Sequence, residues 1–251
     1  MKKLLLICLS VNLIFNSINS QWQQINNGIF GGGIYTFGID PITNIIYASS
    51  YTNGSTASNR LLKSLDNGQT WSTSKEGLSH NVLSIAFKGS NIFSGTQNGG
   101  VYLSTNNGSS WKQVNNGISA SYSVLAMLTC DDNVYAGTYY GIYMTNDNGN
   151  SWIEKNNGLS DRSLKINCLN LSNNKIYAGT QAGVYISNDF GNSWVAANLG
   201  FPEYTQVISM AIDGNNIYVA TSSKGVYYSA DNGQTWTSKN IGLPFNTSVN
   251  S

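Results

Sequence analysis

Six carboxylates stand out from a weakly charged chain, four by regular spacing and two by position. Asp66, Asp147, Asp189 and Asp231 each lie two residues before a glycine and five before a tryptophan. Asp161 and Glu203 fall outside that pattern. Two carboxyl groups about 5–5.5 Å apart can run retaining glycoside hydrolysis, and about 6.5–9.5 Å apart the inverting reaction. Asp161 and Glu203, in neighbouring loops, are the pair that such chemistry would use. Glu76 shares the register of Asn116 and Asn157 and reads as an ordinary turn residue. His80 is the only histidine, and there is no cysteine cluster. The sequence therefore offers no transition-metal site, and no cofactor is expected. No Ser/His/Asp set, P-loop or dinucleotide fingerprint is present.

The regular carboxylates belong to an eight-residue phrase, Ser/Thr-x-Asp-x-Gly-x-Ser/Thr-Trp. It occurs at Ser64–Trp71, Ser104–Trp111, Thr145–Trp152, Ser187–Trp194 and Ser229–Trp236. The second copy carries Asn106 in place of the aspartate. An Asp or Asn here accepts backbone N–H bonds and braces a turn. Gly68, Gly108, Gly149, Gly191 and Gly233 supply positive φ at no steric cost. Trp71, Trp111, Trp152, Trp194 and Trp236 open an outer strand and each can bury roughly 150–250 Å² on a neighbour. Asp66, Asp147, Asp189 and Asp231 are thus structural, and the Asn106 unit is expected intact but slightly weaker. The phrase lacks the run of oxygen ligands and the terminal Glu of a calcium loop, so no metal is assigned.

The five tryptophans are 40, 41, 42 and 42 residues apart, which marks a repeat architecture. Between them run short segments rich in Val, Ile and Tyr, bounded by Asn and Gly, with no helical periodicity. One unit reads Val82–Phe87, Asn91–Thr96, Gly100–Ser104, then Trp111–Val114. Four strands per unit of about 41 residues is the arithmetic of a β-propeller blade. The expected fold is all-β, with five blades over roughly residues 34–75, 82–115, 123–156, 165–198 and 206–240. Residues 241–251 read as the start of a further blade or a tail.

The phrase resembles the Asp-box (BNR) repeat of sialidase-like propellers. Similar boxes occur in bacterial sialidases, xyloglucan-cleaving propellers, sortilin-type receptors and photosystem-assembly factors. The resemblance runs from Trp22 to the end of the chain and implies a fold more than an activity. A sialidase of that kind needs an arginine triad, a Tyr–Glu pair and an Asp acid. This chain has only Arg60 and Arg162, and no Arg-Ile-Pro motif, so the triad cannot be built.

In a propeller the loops from fourth to first strand and from second to third strand form one face, and the boxes lie on the other. The loop face holds Gln97, Tyr139, Tyr140, Gln181, Lys224, Tyr122, Arg162 and Tyr204. Aromatic rings beside amides suit a carbohydrate or a peptide. Gln97, Tyr139, Tyr140, Gln181, Arg162 and Tyr204 are the expected binding residues. The reading is a non-enzymatic binding or scaffold module whose ligand is a glycan or a protein. The alternatives are a xyloglucanase-like glycoside hydrolase, whole or as a fragment, and an assembly factor.

With 10% charged residues and a net charge of +1, the chain has no basic stripe for nucleic acid. Lys2 and Lys3, the apolar run Leu4–Phe15 and the small polar segment Asn16–Ser20 read as a secretory signal over residues 1–20. Its apolar run is too short to span a membrane. The expected location is the cell exterior, periplasm or cell surface. Cys130 and Cys168 are expected as unpaired thiols. Trp22–Ile25 matches an outer strand with no box before it. Two readings follow: an incomplete ring of six or more blades, about 28 residues short of six, or a five-bladed ring with Trp22–Ile25 as an added edge. An open ring would invite edge-to-edge self-association.

Overall fold

The computed structural model describes residues 33–51 and 60–244. Residues 1–20, where a signal segment is expected, Trp22–Ile25, most of the Ser50–Arg60 loop and the residues beyond 244 lie outside that range. Twenty strands form five four-stranded antiparallel sheets, each a meander in chain order. Blade one holds β1 Gly33–Ile39, β2 Ile46–Tyr51, β3 Arg60–Ser64 and β4 Ser72–Thr73. Blade two holds β5 Val82–Lys88, β6 Asn91–Thr96, β7 Gly100–Ser104 and β8 Lys112–Gln113. Blade three holds β9 Val124–Cys130, β10 Asn133–Thr138, β11 Gly141–Thr145 and β12 Ile153–Glu154. Blade four holds β13 Ile166–Ser172, β14 Lys175–Thr180, β15 Gly183–Ser187 and β16 Val195–Ala196. Blade five holds β17 Val207–Asp213, β18 Asn216–Thr221, β19 Val226–Ser229 and β20 Thr237–Ser238. The protein is a five-bladed β-propeller with no α-helix among the described residues.

In blades two to four the inner strands bury residues on both faces, because each of these sheets has a blade before it and a blade behind it among the described residues. The core is accordingly four seams. Between blades three and four, Tyr135 and Ile142 pack on Ile166, Ile176 and Trp194. Between blades two and three, Phe93 and Val101 pack on Val124, Val134 and Trp152. Tyr47 and Leu61 meet Val82, Ile92 and Trp111 between blades one and two. Tyr177 and Val184 meet Val207, Ile217 and Trp236 between blades four and five. Each innermost strand also carries a register shift near its start, as between Val82 and Ser84 or Val207 and Ser209. Such a bulge bends the strand where it emerges from the loop face.

The outer strands are two residues long, shorter than the sequence pattern implies. The tryptophan does not join its own ladder. Its N–H instead donates to the turn of the preceding blade, Trp152 to Asn116 O at 2.8 Å and Trp194 to Asn157 O at 2.9 Å. In blades three to five the indole also donates to the preceding outer strand, Trp152 Nε1 to Val114 O at 2.8 Å and Trp236 Nε1 to Ala197 O at 2.8 Å, whereas the buried Trp111 Nε1 has no such partner. Trp194 likewise reaches Lys155 O at 2.9 Å. The close approach requires glycine in that turn. At Gly158 (φ +93°) a Cβ would stand 2.1 Å from Trp194 O.

The inner strands β1, β5, β9, β13 and β17 pack side by side in that order, and no comparable packing joins β17 to β1 among the described residues. Val82, Val124, Ile166 and Val207 are at most 3% exposed, whereas Ile34 at the same position of blade one is 45% exposed. Tyr47, Phe93, Tyr135 and Tyr177 are fully buried, whereas the matching Tyr218 of blade five is 38% exposed.

Candidate functional site

The box hairpins tie themselves shut. In the fourth box, Ser187 Oγ donates to Asp189 Oδ1 at 2.7 Å and accepts from Gly191 N at 2.7 Å. Asp189 then accepts from Ser193 N at 2.9 Å and from Ser193 Oγ at 2.6 Å. The first, third and fifth boxes repeat this around Asp66, Asp147 and Asp231. These bonds stabilise the ionised carboxylate. The hydroxyls of Thr70, Ser151 and Ser193 are the largest influence on the first three and that of Ser229 on Asp231, and all four pKa values fall to about 2. In the second box Asn106 Oδ1 accepts from Ser104 Oγ and Ser110 N, both at 2.9 Å. Its Nδ2 donates to Ser110 Oγ at 2.9 Å, so the unit is intact as expected.

The opposite face is built on equally fixed hairpins. Thr138 Oγ1 donates to Gly141 O at 2.9 Å and accepts from Tyr140 N at 2.9 Å. Asn156 Oδ1 accepts from Ile142 N at 2.8 Å, binding that hairpin to the outer strand. The same clamp recurs as Asn115 on Val101, Asn198 on Val184 and Asn240 on Val226. The two tyrosines between Thr138 and Gly141 therefore project on a rigid base, Tyr139 at 43% and Tyr140 at 58% exposure. Tyr140 lies on Tyr122 with centroids 4.5 Å apart. Tyr122 in turn adjoins the buried Tyr143, whose pKa rises to about 12 through burial first and Tyr122 next.

Two cations cover rings from neighbouring loops. Lys165 Nζ stands 4.8 Å above Tyr139, and Arg162 Cζ stands 5.0 Å above Tyr204. Arg162 is placed by a one-turn 3-10 helix, Asp161–Leu164, that Ser160 and Ser163 close. Gln181 N donates to Lys165 O at 3.1 Å, and Lys224 Nζ donates to Glu203 O. Gln97 accepts from Asn81 Nδ2 at 3.1 Å. Of the expected binding residues, Arg162 and Tyr204 thus meet directly, Tyr139 and Tyr140 share one hairpin, Gln97 pairs with Asn81, and Gln181 abuts the Lys165 backbone. Lys165 was not among the expected residues; its position five residues after Ser160 carries no sign that it reaches across to blade three.

Asp161 and Glu203 are both exposed on this face. His80 is more engaged than a free loop residue, with Nδ1 3.0 Å from Tyr102 Oη. Cys130 and Cys168 are both free thiols. Burial pushes the Cys168 thiol up to about 12 and raises that of Cys130, with Asp131 adding to the second. Among the described residues no three His, Cys, Asp or Glu side chains gather to hold a metal. No helix among them is long and apolar enough to cross a membrane.

Five blades, each closed by this box on one face, and four of them by a Thr–Gly hairpin on the other, define a BNR-type propeller. The family model for the photosynthesis system II assembly factor YCF48 matches residues 103–242, and the chain belongs to that family. No curated protein matches the chain. Among solved structures it is similar to an ancestral GH74 enzyme at 20% identity and TM-score 0.72, over 90% of this chain and 33% of that one. YCF48 from Cyanidioschyzon merolae superposes at 16% identity and TM-score 0.58, over 82% of this chain and 72% of that one. A YCF48 bound to D1 peptide superposes at 16% identity and TM-score 0.50, over 90% of this chain and 86% of that one. The chain spans about a third of the GH74 chains it matches, 33% and 38% of two of them. At these identities the likeness speaks for the fold alone.

Proposed function

We propose that this propeller is a non-enzymatic binding module and that its loop face takes a segment of another protein. The observation that carries the reading is the set of exposed tyrosines on this face, Tyr139 and Tyr140 on one clamped hairpin and Tyr204 in the β16–β17 loop, with Lys165 over Tyr139 and Arg162 over Tyr204. Rigid rings lose little side-chain entropy on binding, and Arg162 and Lys165 add donors for peptide carbonyls or carboxylates. Membership of the YCF48 family, and the D1 peptide bound to one YCF48 structure, favour protein over glycan. An array of immobilised peptides tests it. Binding should be lost in a Tyr139→Ala, Tyr140→Ala, Tyr204→Ala variant whose thermal unfolding is unchanged. Undiminished binding, or binding only to an oligosaccharide array, would overturn it.

The hydrolase alternative would rest on Asp161 and Glu203. Both side chains are exposed, whereas a catalytic pair works in a site that excludes water, which favours binding over hydrolysis. If a xyloglucan-cleaving activity were found, its persistence in Asp161→Ala and Glu203→Ala would remove both residues from it. We also propose export, from the leader over residues 1–20; a mature N-terminus near residue 21 by mass spectrometry is the expected result.

A further inference from the structure

We infer that Arg162, held on the ring of Tyr204, reads a carboxylate side chain, so that the segment taken by the loop face is acidic. The inference rests on the protein-binding reading above and names the chemistry of its partner. It starts from the backbone. Among the described residues twelve that are not glycine have positive φ; eight are Asn and two are Asp. Their short polar side chains tolerate that region. The other two are Phe190, inside the fourth box, and Tyr204 at φ +55°. A bulky side chain in this conformation is strained, and such strain persists where the surroundings over-determine it, typically at functional sites. Burial does not offset it here, because Tyr204 is 74% exposed.

The surroundings are fixed on both sides of that residue. Before it, Phe201 stacks on Trp236 with centroids 4.8 Å apart and meets Tyr227 at 5.1 Å. After it, Thr205 is 3% exposed and its Oγ1 donates to Pro202 O at 2.6 Å. The facing loop is braced in the same way. Asp161 opens the 3-10 turn at φ +47°, and the buried Ser163 accepts from Ser160 N through Oγ at 2.7 Å. Two positive-φ residues in neighbouring loops thus bring one guanidinium over one ring, 5.0 Å from its centroid. Arg162 is exposed, and among the described residues its guanidinium makes no ion pair or hydrogen bond. A stacked guanidinium keeps its N–H edge free, in the fork geometry that takes a carboxylate bidentately. Asp161 and Glu203 adjoin the pair in sequence and repel a phosphate dianion more than a single carboxylate. Lys165 repeats the cation-on-ring arrangement at Tyr139, which extends the preference for negative charge toward blade three.

The test presents the full chain with immobilised glutamate-rich peptides and with the same peptides carrying glutamine at every glutamate. The wild type should hold the glutamate series roughly tenfold more tightly, and the difference should shrink as salt is raised. Arg162→Gln should abolish the difference. Arg162→Lys keeps the charge without the fork and should recover only part of it. Tyr204→Phe keeps the ring and should bind as the wild type does. Tyr204→Asn should lose the discrimination while unfolding at a temperature no lower than the wild type, because Asn suits the positive φ. A merely structural tyrosine would give the reverse, a lower unfolding temperature with discrimination kept, and that result would overturn the inference. Peptides of both series bound equally, or discrimination that survives Arg162→Gln, would overturn it too and leave the protein-binding reading standing. No binding to either series would also overturn it, and capture of a uronic-acid oligosaccharide in their place would overturn the protein-binding reading as well.

Discussion

Removing one buried hydroxyl should measure what a box contributes. Ser187 ends β15 and is fully buried. Its Oγ accepts the Gly191 N–H at 2.7 Å and donates to Asp189 Oδ1 at 2.7 Å. Ser187→Ala leaves the buried Gly191 N–H without its acceptor, a cost of about 1–3 kcal/mol. The carboxylate keeps both bonds to Ser193 and can take a water in place of the lost hydroxyl, so that loss adds about 1 kcal/mol or less. The void is one oxygen wide. The expected destabilisation is about 1–4 kcal/mol in all, read from urea unfolding followed by tryptophan fluorescence near neutral pH. Ser187→Thr is the control, because Thr145 holds this position in blade three and makes the same bonds at 2.7 and 2.9 Å. It should cost about 1 kcal/mol or less. Ser187→Ala within about 0.5 kcal/mol of wild type, or Ser187→Thr as costly as alanine, would refute the reasoning.

Acid should loosen four boxes and spare the fifth. Asp66, Asp147, Asp189 and Asp231 titrate near 2 when folded and near 3.9 when unfolded, so their contribution is present above about pH 4 and is lost as pH falls toward 2. Urea midpoints between pH 5 and 2 should fall accordingly, and Asp189→Asn should flatten that slope while costing little at neutral pH. Gly158→Ala should destabilise by at least about 2 kcal/mol, since it combines a positive φ with a clash on Trp194 O; calorimetry reads it. Ile166→Ala, at a fully buried seam position, should cost about 2–5 kcal/mol. Ile34→Ala, the same position on the open face, should cost about 1 kcal/mol or less in dilute urea titrations.

The scaffold was legible because its signals are local. Ser187, Asp189, Gly191 and Trp194 lie within eight residues and make one hairpin, so the phrase itself describes most of the bonds. The clamp by Asn115, Asn156, Asn198 and Asn240 has an equally local signal, an Asn four residues after each of these box tryptophans. The site was less legible because its contacts cross blades. Nothing in the order of residues places Lys165 over Tyr139 or Arg162 over Tyr204, since both depend on how far each loop leans. Burial at a repeated position was illegible too: Tyr218 and Tyr177 are the same residue type in the same phrase, yet one is 38% exposed and the other fully buried.

Asn106 separates structure from chemistry in this protein. A carboxylate conserved for acid–base work could not become an amide, which has no titratable proton to exchange. A turn brace can, because Asn106 Oδ1 keeps both acceptor bonds of its aspartate counterparts and Nδ2 turns to donate to Ser110 Oγ. The other four boxes confirm the same role from the electrostatic side. Carboxylates held near 2 are ionised throughout the neutral range and cannot deliver a proton there. The recurrent polar groups of the chain are therefore committed to closing hairpins, on the face away from the tyrosines. What varies between blades is what each clamped loop presents: Gln97 and Asn81 at one, Tyr139 and Tyr140 at the next, Arg162 with Tyr204 further round. The proposed recognition would draw on that variable set, whose members are aromatic, amide and cationic groups of the kind that hold a ligand.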